Sequence, residues 1–227
     1  MDTDVLTLAT INPGFGLTLP RWRRDLQDLT KTADVLAIQE AKRVDVDQLL
    51  PAHWRAGQNT DTPAKAGSVV AWNRHRARST SGGLQVAAEP GRAQMLTRNI
   101  RWQVLRIDGV MSRVVVASAH RPPARYRFLW PIFDARVRRF IRRQHNAGRI
   151  VLLGMDTNQP LGQDPGRLSR RLGMRWLGPE AGIIGWAVSE TAPVTADVTV
   201  RRLSFSDHPA VLIRLLVACP SCRRTWP

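Results

Sequence analysis

A chain of 227 residues, 43% of them hydrophobic, can bury a substantial core and is most simply one large domain. Its charge is lopsided: 34 Lys and Arg against 18 Asp and Glu give a formal net charge of +16, a surface that draws polyanions, nucleic acid first among them. No apolar run approaches the roughly 18 residues a membrane span needs, and the acidic start, Met1-Asp2-Thr3-Asp4, has no signal-peptide pattern, so a cytoplasmic protein is expected. All but three of the cations (Lys31, Lys42 and Lys65) are arginine. Codon usage in a GC-rich genome accounts for arginine over lysine, but not for the imbalance of sign.

Val5 to Ile11 alternates as a strand and delivers Asn12 to a Pro13-Gly14 turn. Pro20 opens a helix with Trp22, Leu26 and Leu29 on one face. Asp34 to Gln39 reads as a buried strand ending at Glu40, and Ser68 to Trp72 as another. Met95 to Ile107 and Arg113 to Ala119 form two longer strands joined through Asp108-Gly109, a hairpin signal, and His120 follows the second. A basic, proline-broken loop, Arg121 to Arg127, comes next. From Trp130 to Asn146 the apolar residues Phe133, Val137, Phe140 and Ile141 keep helical spacing, with five arginines on the other face and Gly148 as the stop.

The apolar run Ile150 to Leu153 is too short for a helix and reads as a buried strand. It leads through Gly154-Met155 to Asp156 and Asn158, which share a face because residues two apart on extended chain point the same way. A short helix near Leu168 to Leu172 precedes strands at Ile183 to Val188 and Val194 to Val200, a loop carrying Ser206-Asp207-His208, and a last strand, Ala210 to Val217. Residues 1–218 form the expected domain and 219–227 a short tail. The tail's CxxC, Cys219 and Cys222, supplies only two of the roughly four ligands a zinc site needs. Many strands, few helices and intruding hairpins give an α/β fold of two mixed sheets packed face to face with helices outside.

Asn12, Glu40, His120, Asp156, Asn158, Asp207 and His208 all lie at the ends of dry strands. For any one of them a cap or turn is the simpler account. Seven together describe phosphate chemistry: carboxylates for a hard divalent ion, amides to hold phosphate oxygens, histidines to meet developing charge.

Four pieces in order carry a family resemblance: Thr10-Ile11-Asn12, Gln39-Glu40, Gly154-Met155-Asp156-Thr157-Asn158 and Ser206-Asp207-His208. The chain resembles the endonuclease/exonuclease/phosphatase superfamily, also called deoxyribonuclease I-like. The resemblance implies a four-layer α/β sandwich with the site at one edge of the sheets. It implies that Glu40 binds Mg²⁺ (or Mn²⁺) with Asp207 assisting, and that Asp156 orients or deprotonates the attacking water. It further implies that Asn12 and Asn158 hold the scissile phosphate, that His208 stabilises the pentacoordinate phosphate, and that His120 serves as general acid. Two departures stand out. Gly185 falls where the family places an Asp that orients the final histidine, and Pro13-Gly14 follows Asn12 where many nucleases keep another acid.

The expected activity is a metal-dependent phosphodiesterase on nucleic acid, DNA before RNA, with Arg121, Arg125, Tyr126 and Arg127 flanking the cleft to grip the backbone. A phosphatase on a small phosphorylated molecule and a catalytically impaired DNA-binding relative are the alternatives. Oligomeric state is not legible.

Overall fold

The computed structural model describes residues 5–14, 16–41, 44–57, 67–89, 97–108, 113–159, 164–179, 183–190 and 194–217. In chain order these form β1 (Val5–Ile11), α1 (Leu19–Thr30), β2 (Val35–Ile38), β3 (Trp54–Gly57), β4 (Val69–Asn73), β5 (Ala77–Ala88), β6 (Arg98–Ile107) and β7 (Val114–His120). They continue with α2 (Trp130–Asn146), β8 (Ile150–Asp156), α3 (Pro165–Arg171), β9 (Met174–Leu177), β10 (Ile184–Ser189), β11 (Val194–Arg201) and β12 (Ala210–Val217). The tail with Cys219 and Cys222, Gly109 of the expected hairpin, and Met95 lie outside the described residues.

Two six-stranded sheets result, in the orders β11-β12-β1-β2-β4-β3 and β5-β6-β7-β8-β10-β9. Each is mixed: β1 with β2 and β7 with β8 are parallel, and the other pairs are antiparallel. Strand alternation assigns the side chains of β8 to two layers. Val151, Leu153 and Met155 pack beneath α2 with Phe133, Val137, Phe140 and Ile141. Leu152 instead joins Leu8, Val35, Val116, Trp186 and Ile213 between the sheets. On the far side α1 lays Trp22, Leu26 and Leu29 over Ala9, Ile11, Leu36 and Ile38. Helix, sheet, sheet, helix is the four-layer sandwich the sequence implied.

Near the functional edge the sheets come closest at Gly154. A Cβ there would meet the Ala37 Cβ at 2.5 Å and the Thr10 Oγ1 at 2.8 Å, so only glycine permits this approach. Just above it, Gln39 Nε2 donates to Ser118 Oγ at 3.0 Å and to Thr10 Oγ1 at 3.2 Å, and Ser118 Oγ donates to the Ile38 carbonyl at 2.8 Å. A buried polar network fixes a unique geometry when its members are satisfied. Gln39 belongs to the metal-motif dipeptide of the sequence, yet its own work is to lock the two sheets beneath the site.

Three strands had no sequence counterpart. β3 and β9 are only four residues each. β5 is a sheet edge, mostly exposed along Arg78 to Gln85, and so lacks the apolar alternation that marks a buried strand. The short helix begins earlier than its apolar residues suggest, because Asp164 caps it by accepting from Gly166 N at 2.7 Å.

Candidate functional site

The parallel pairs set the site. β1, β2, β7 and β8 all run toward one edge, which brings Asn12, Glu40, His120 and Asp156 together from the two facing sheets. Asp156 is the centre, at 1% exposure. Its Oδ2 accepts from Asn12 Nδ2 at 2.7 Å and its Oδ1 from the Asn158 backbone N–H at 2.9 Å. His120 Nε2 stands 3.6 Å from the same Oδ2, and His120 Nδ1 stands 3.7 Å from Glu40 Oε1.

Burial pushes the Asp156 carboxyl above the usual carboxylate range. The Asn12 amide, the Asn158 N–H and the His208 charge pull it back, and the nearby Glu40 charge adds to the rise. Asp156 therefore has its partners yet holds a proton more strongly than a surface acid.

Backbone strain collects at the same place. Glu40 (φ 57) and Asn158 (φ 47) are the non-glycine residues with positive φ among the described residues, and such conformations cost energy that the surrounding structure must offset. Asn158 Nδ2 donates to the Arg121 carbonyl at 2.6 Å, so this amide braces the loop after β7.

Arg98, at the start of β6, is a member of the site that motif reading missed. It is 7% exposed, and its Nη1 lies 2.9 Å from His120 Nδ1. An arginine can only donate, so Nδ1 accepts and the ring proton sits on Nε2, toward Asp156. His120 thus turns an Nε2–H toward the site, between the Arg98 guanidinium and the carboxylates of Asp156 and Glu40. Burial pulls the Arg98 guanidinium below its ordinary value, and the Glu40 and Asp156 carboxylates oppose that pull.

Asp207 and His208 reach the site on a looser loop. Asp207 leaves 68% of its side chain exposed, with its carboxylate filling the space where a Cβ on Gly14 would be. That contact explains Gly14, whose φ of +85 also favours glycine. His208 is about one-third exposed, 3.9 Å from Asp207 Oδ1, and close enough for its charge to act on Asp156. The loop is anchored by Asp25 of α1, whose Oδ2 accepts from Ser206 N at 2.8 Å and Phe205 N at 3.3 Å. Ser206 Oγ then donates to the Asn12 carbonyl at 3.1 Å and accepts from His208 N at 3.3 Å. Asp25 carried a sequence signal: it sits on the apolar stripe of α1 between Trp22 and Leu26, where an unpartnered carboxylate would not be buried.

The position assigned to Gly185 needs correction. β10 pairs with β8 so that Ile184 lies opposite Asp156 and Gly185 opposite Met155. Gly185 therefore faces the helix-side layer, where a Cβ would meet Trp176 Cζ2 at 2.5 Å. The residue on the Asp156 side of the strand is Ile184, buried and apolar. The sequence count was one residue off, and one residue reverses the face.

The four loop residues divide. Arg121 is 3% exposed, bound through Nη2 to Asp134 Oδ2 at 2.6 Å and through Nε to Oδ1 at 3.1 Å, with its guanidinium 3.9 Å over the Trp130 ring. It departs from the expectation of a substrate contact because Asp134, on the first turns of α2, turns it inward. Arg125 and Arg127 are exposed, and Tyr126 is half-buried under the Arg125 guanidinium at 5.0 Å.

Among the described residues no three His, Cys, Asp or Glu side chains form a closed metal cage, and no helix is long and apolar enough to cross a membrane. No curated protein matches the sequence. Solved structures do match in fold. An endonuclease/exonuclease/phosphatase family protein from Bacteroides thetaiotaomicron is 14% identical at a TM-score of 0.72, over 95% of this chain and 98% of that one. A mannosyl-6-phosphatase from the same organism is 14% identical at 0.69, over 92% and 99%. D. rerio TDP2, solved with a single strand DNA product, is 15% identical at 0.66, over 93% and 98%. The Endonuclease/Exonuclease/phosphatase family model spans residues 13–209, nearly the whole of the described sandwich and every residue of the site but Asn12, and the chain belongs to that family.

Proposed function

We propose that this chain hydrolyses phosphodiester bonds in nucleic acid, DNA before RNA, with Mg²⁺ or Mn²⁺ as cofactor. The observation that carries the reading is the buried Asp156 bonded to Asn12 and faced by His120, Glu40 and His208. The family's chemistry is phosphoester hydrolysis, and the +16 net charge favours a polyanion over a small ester. The TDP2 likeness, to a structure holding a single strand DNA product, points the same way.

The donor set fits a hard divalent ion. Glu40 offers a partly exposed carboxylate held by a left-handed backbone, and its charge opposes that of Asp156 in a dry setting. A cation relieves that repulsion, and Mg²⁺ is commonly held by one or two carboxylates while keeping several waters. When bound at Glu40, with Asp207 assisting, such an ion supplies charge stabilisation to the phosphate.

The protein groups then divide the work. Asp156 accepts the proton of the attacking water, and its raised proton affinity makes it the stronger base. Asn12 gives one N–H to Asp156 and has a second for a non-bridging phosphate oxygen. His120 donates Nε2–H to charge developing on the phosphate, while His208, on the open side, meets the departing oxygen.

The likeness to a mannosyl-6-phosphatase keeps a second reading, hydrolysis of a small phosphomonoester. Supercoiled plasmid and single-stranded circular DNA, each incubated with Mg²⁺, with Mn²⁺ and with chelator, separate the two when run beside phosphate release from sugar phosphates. Metal-dependent nicking without phosphate release is the expected result. Phosphate release without nicking would establish the phosphatase, and neither would leave a binding protein.

A further inference from the structure

Beside the candidate site, three elements send arginines into one recess. A cavity of about 400 Å³ opens between the loop after β7, the first turns of α2 and the end of α3. Its floor is the Arg121–Asp134 pair stacked on Trp130, which is neutral as a unit. Arg127, Arg138 and Arg171 complete the lining, and among the described residues none of the three has a carboxylate within ion-pair distance. Arg138 is also fixed in place, its Nε donating to the Arg171 carbonyl at 2.8 Å, so its terminal nitrogens remain as further donors.

An ordinary solvated arginine face spreads its charges apart. Here four arginines share a concave space with a single carboxylate, Asp134, on which the charges of Arg121, Arg171 and Arg138 all act, so the recess stays net positive until an anion enters. Arg171 even opposes the charge of Arg121 on the recess floor.

The recess is tied to the site through the backbone. Arg121 N donates to the Asp156 carbonyl at 3.0 Å, and the Arg121 carbonyl accepts from Asn158 Nδ2 at 2.6 Å. A phosphate at Asp156 and an anion in the recess would thus lie on either side of a single residue. The loop between them presents Phe128, at 63% exposure, edge-on to Tyr126 at 6.3 Å, with Arg125 over the Tyr126 ring. One exposed Phe is ordinary on a protein surface. Aromatic rings interleaved with arginines beside a cationic recess match the way unpaired strands are held, by stacking bases and tracking phosphates. A paired duplex has no free base face to offer Phe128.

We propose that the recess of Arg127, Arg138 and Arg171 is a subsite for a phosphate flanking the scissile one, and that the strand it holds is single, with a base stacked on Phe128. The proposal rests on the nuclease reading above and specifies its substrate.

The test compares full-length protein with Phe128→Ala and with an Arg138→Gln, Arg171→Glu double variant. Substrates are bis(p-nitrophenyl) phosphate, which has no flanking phosphate, labelled oligothymidylate, labelled oligouridylate and a short duplex. For the strands relative to the small diester, kcat/KM is expected to fall about fivefold or more in Phe128→Ala, the low end for loss of one stacked base. In the double variant the salt dependence of strand binding, followed by anisotropy, should shrink by about 0.7 in log–log slope for each phosphate contact removed. The two oligonucleotides distinguish DNA from RNA.

Strand affinity and salt slope unchanged in both variants would overturn the subsite. Duplex preferred over single strand, with Phe128→Ala silent, would overturn the strand assignment. If the wild type hydrolyses neither bis(p-nitrophenyl) phosphate nor any of the strands, the nuclease reading fails by itself, and anisotropy still decides the subsite.

Discussion

The two flanks of the site are built differently. On one, Asp156, Asn12, His120 and Arg98 are nearly dry and joined by hydrogen bonds reaching across 144 residues of sequence in one case and 22 in another. On the other, Asp207 and His208 ride a half-exposed loop held through Asp25 and Ser206. The dry flank rests on two sheets locked by Gln39, whereas the open flank has an isoleucine where a carboxylate could have steadied its histidine. Preorganised dipoles act most strongly where water is excluded, so the dry flank suits the attack on phosphorus. The open flank suits a group that meets solvent or a departing product.

The largest effect should come from the dry flank. Asp156→Asn keeps the shape but has a single acceptor oxygen for the Asn12 amide and the Asn158 N–H, which Asp156 accepts on separate oxygens, and it cannot take a proton from water. Turnover should fall roughly 10²–10⁴-fold, the range for losing a general base. A variant that stays fully active would remove Asp156 from the centre of the site.

The two flanks were not equally legible. Strands buried on both faces, such as β2 and β7, announce themselves as apolar runs, and their polar last residues then stand out. The parallel pairing of β1 with β2 and β7 with β8 converts those sequence positions into one spatial edge, which is why Asn12, Glu40, His120 and Asp156 were found together. Arg98 was invisible because nothing separates one arginine from the others in so basic a chain, and its partner lies on the next strand. Arg121 was misjudged for the opposite reason. Adjacency to His120 suggested a shared face, but the residue that decides its direction, Asp134, is 13 positions ahead. β5 escaped because an edge strand needs no apolar pattern.

An intermediate effect separates Gly185 from Ile184. If the steadying carboxylate belonged at Gly185, Gly185→Asp would speed the reaction. Because Gly185 faces Trp176, the added side chain should instead overpack the helix-side layer, at about 1–3 kcal/mol of stability, with no gain in rate. Chemical denaturation beside plasmid nicking checks both halves. Faster nicking at unchanged stability would return the missing carboxylate to Gly185 and reverse the assignment of faces on β10.

The smallest effect probes the anchor of the open flank. Burial raises the Asp25 proton affinity above the ordinary carboxylate value of 3.8, opposed by the backbone N–H groups of Ser206, Phe205 and Ser204. With the folded value above the unfolded one, the stability this group contributes is present in full below pH 3.8 and is lost as pH rises through the folded value. Asp25→Asn has no such titration, yet its amide oxygen can still accept from Ser206 and Phe205. Thermal unfolding should therefore show the wild type losing ground to Asp25→Asn as pH rises above 3.8, with little difference at the acid end. Asp25→Ala is the control: it abandons both N–H groups and should cost about 1 kcal/mol at every pH, the low end for a half-exposed loop. A gap between wild type and Asp25→Asn that widens toward acid would mean that Asp25 holds the loop by its charge. The open flank would then be as firmly built as the dry one, and the contrast between them would rest on solvent exposure alone.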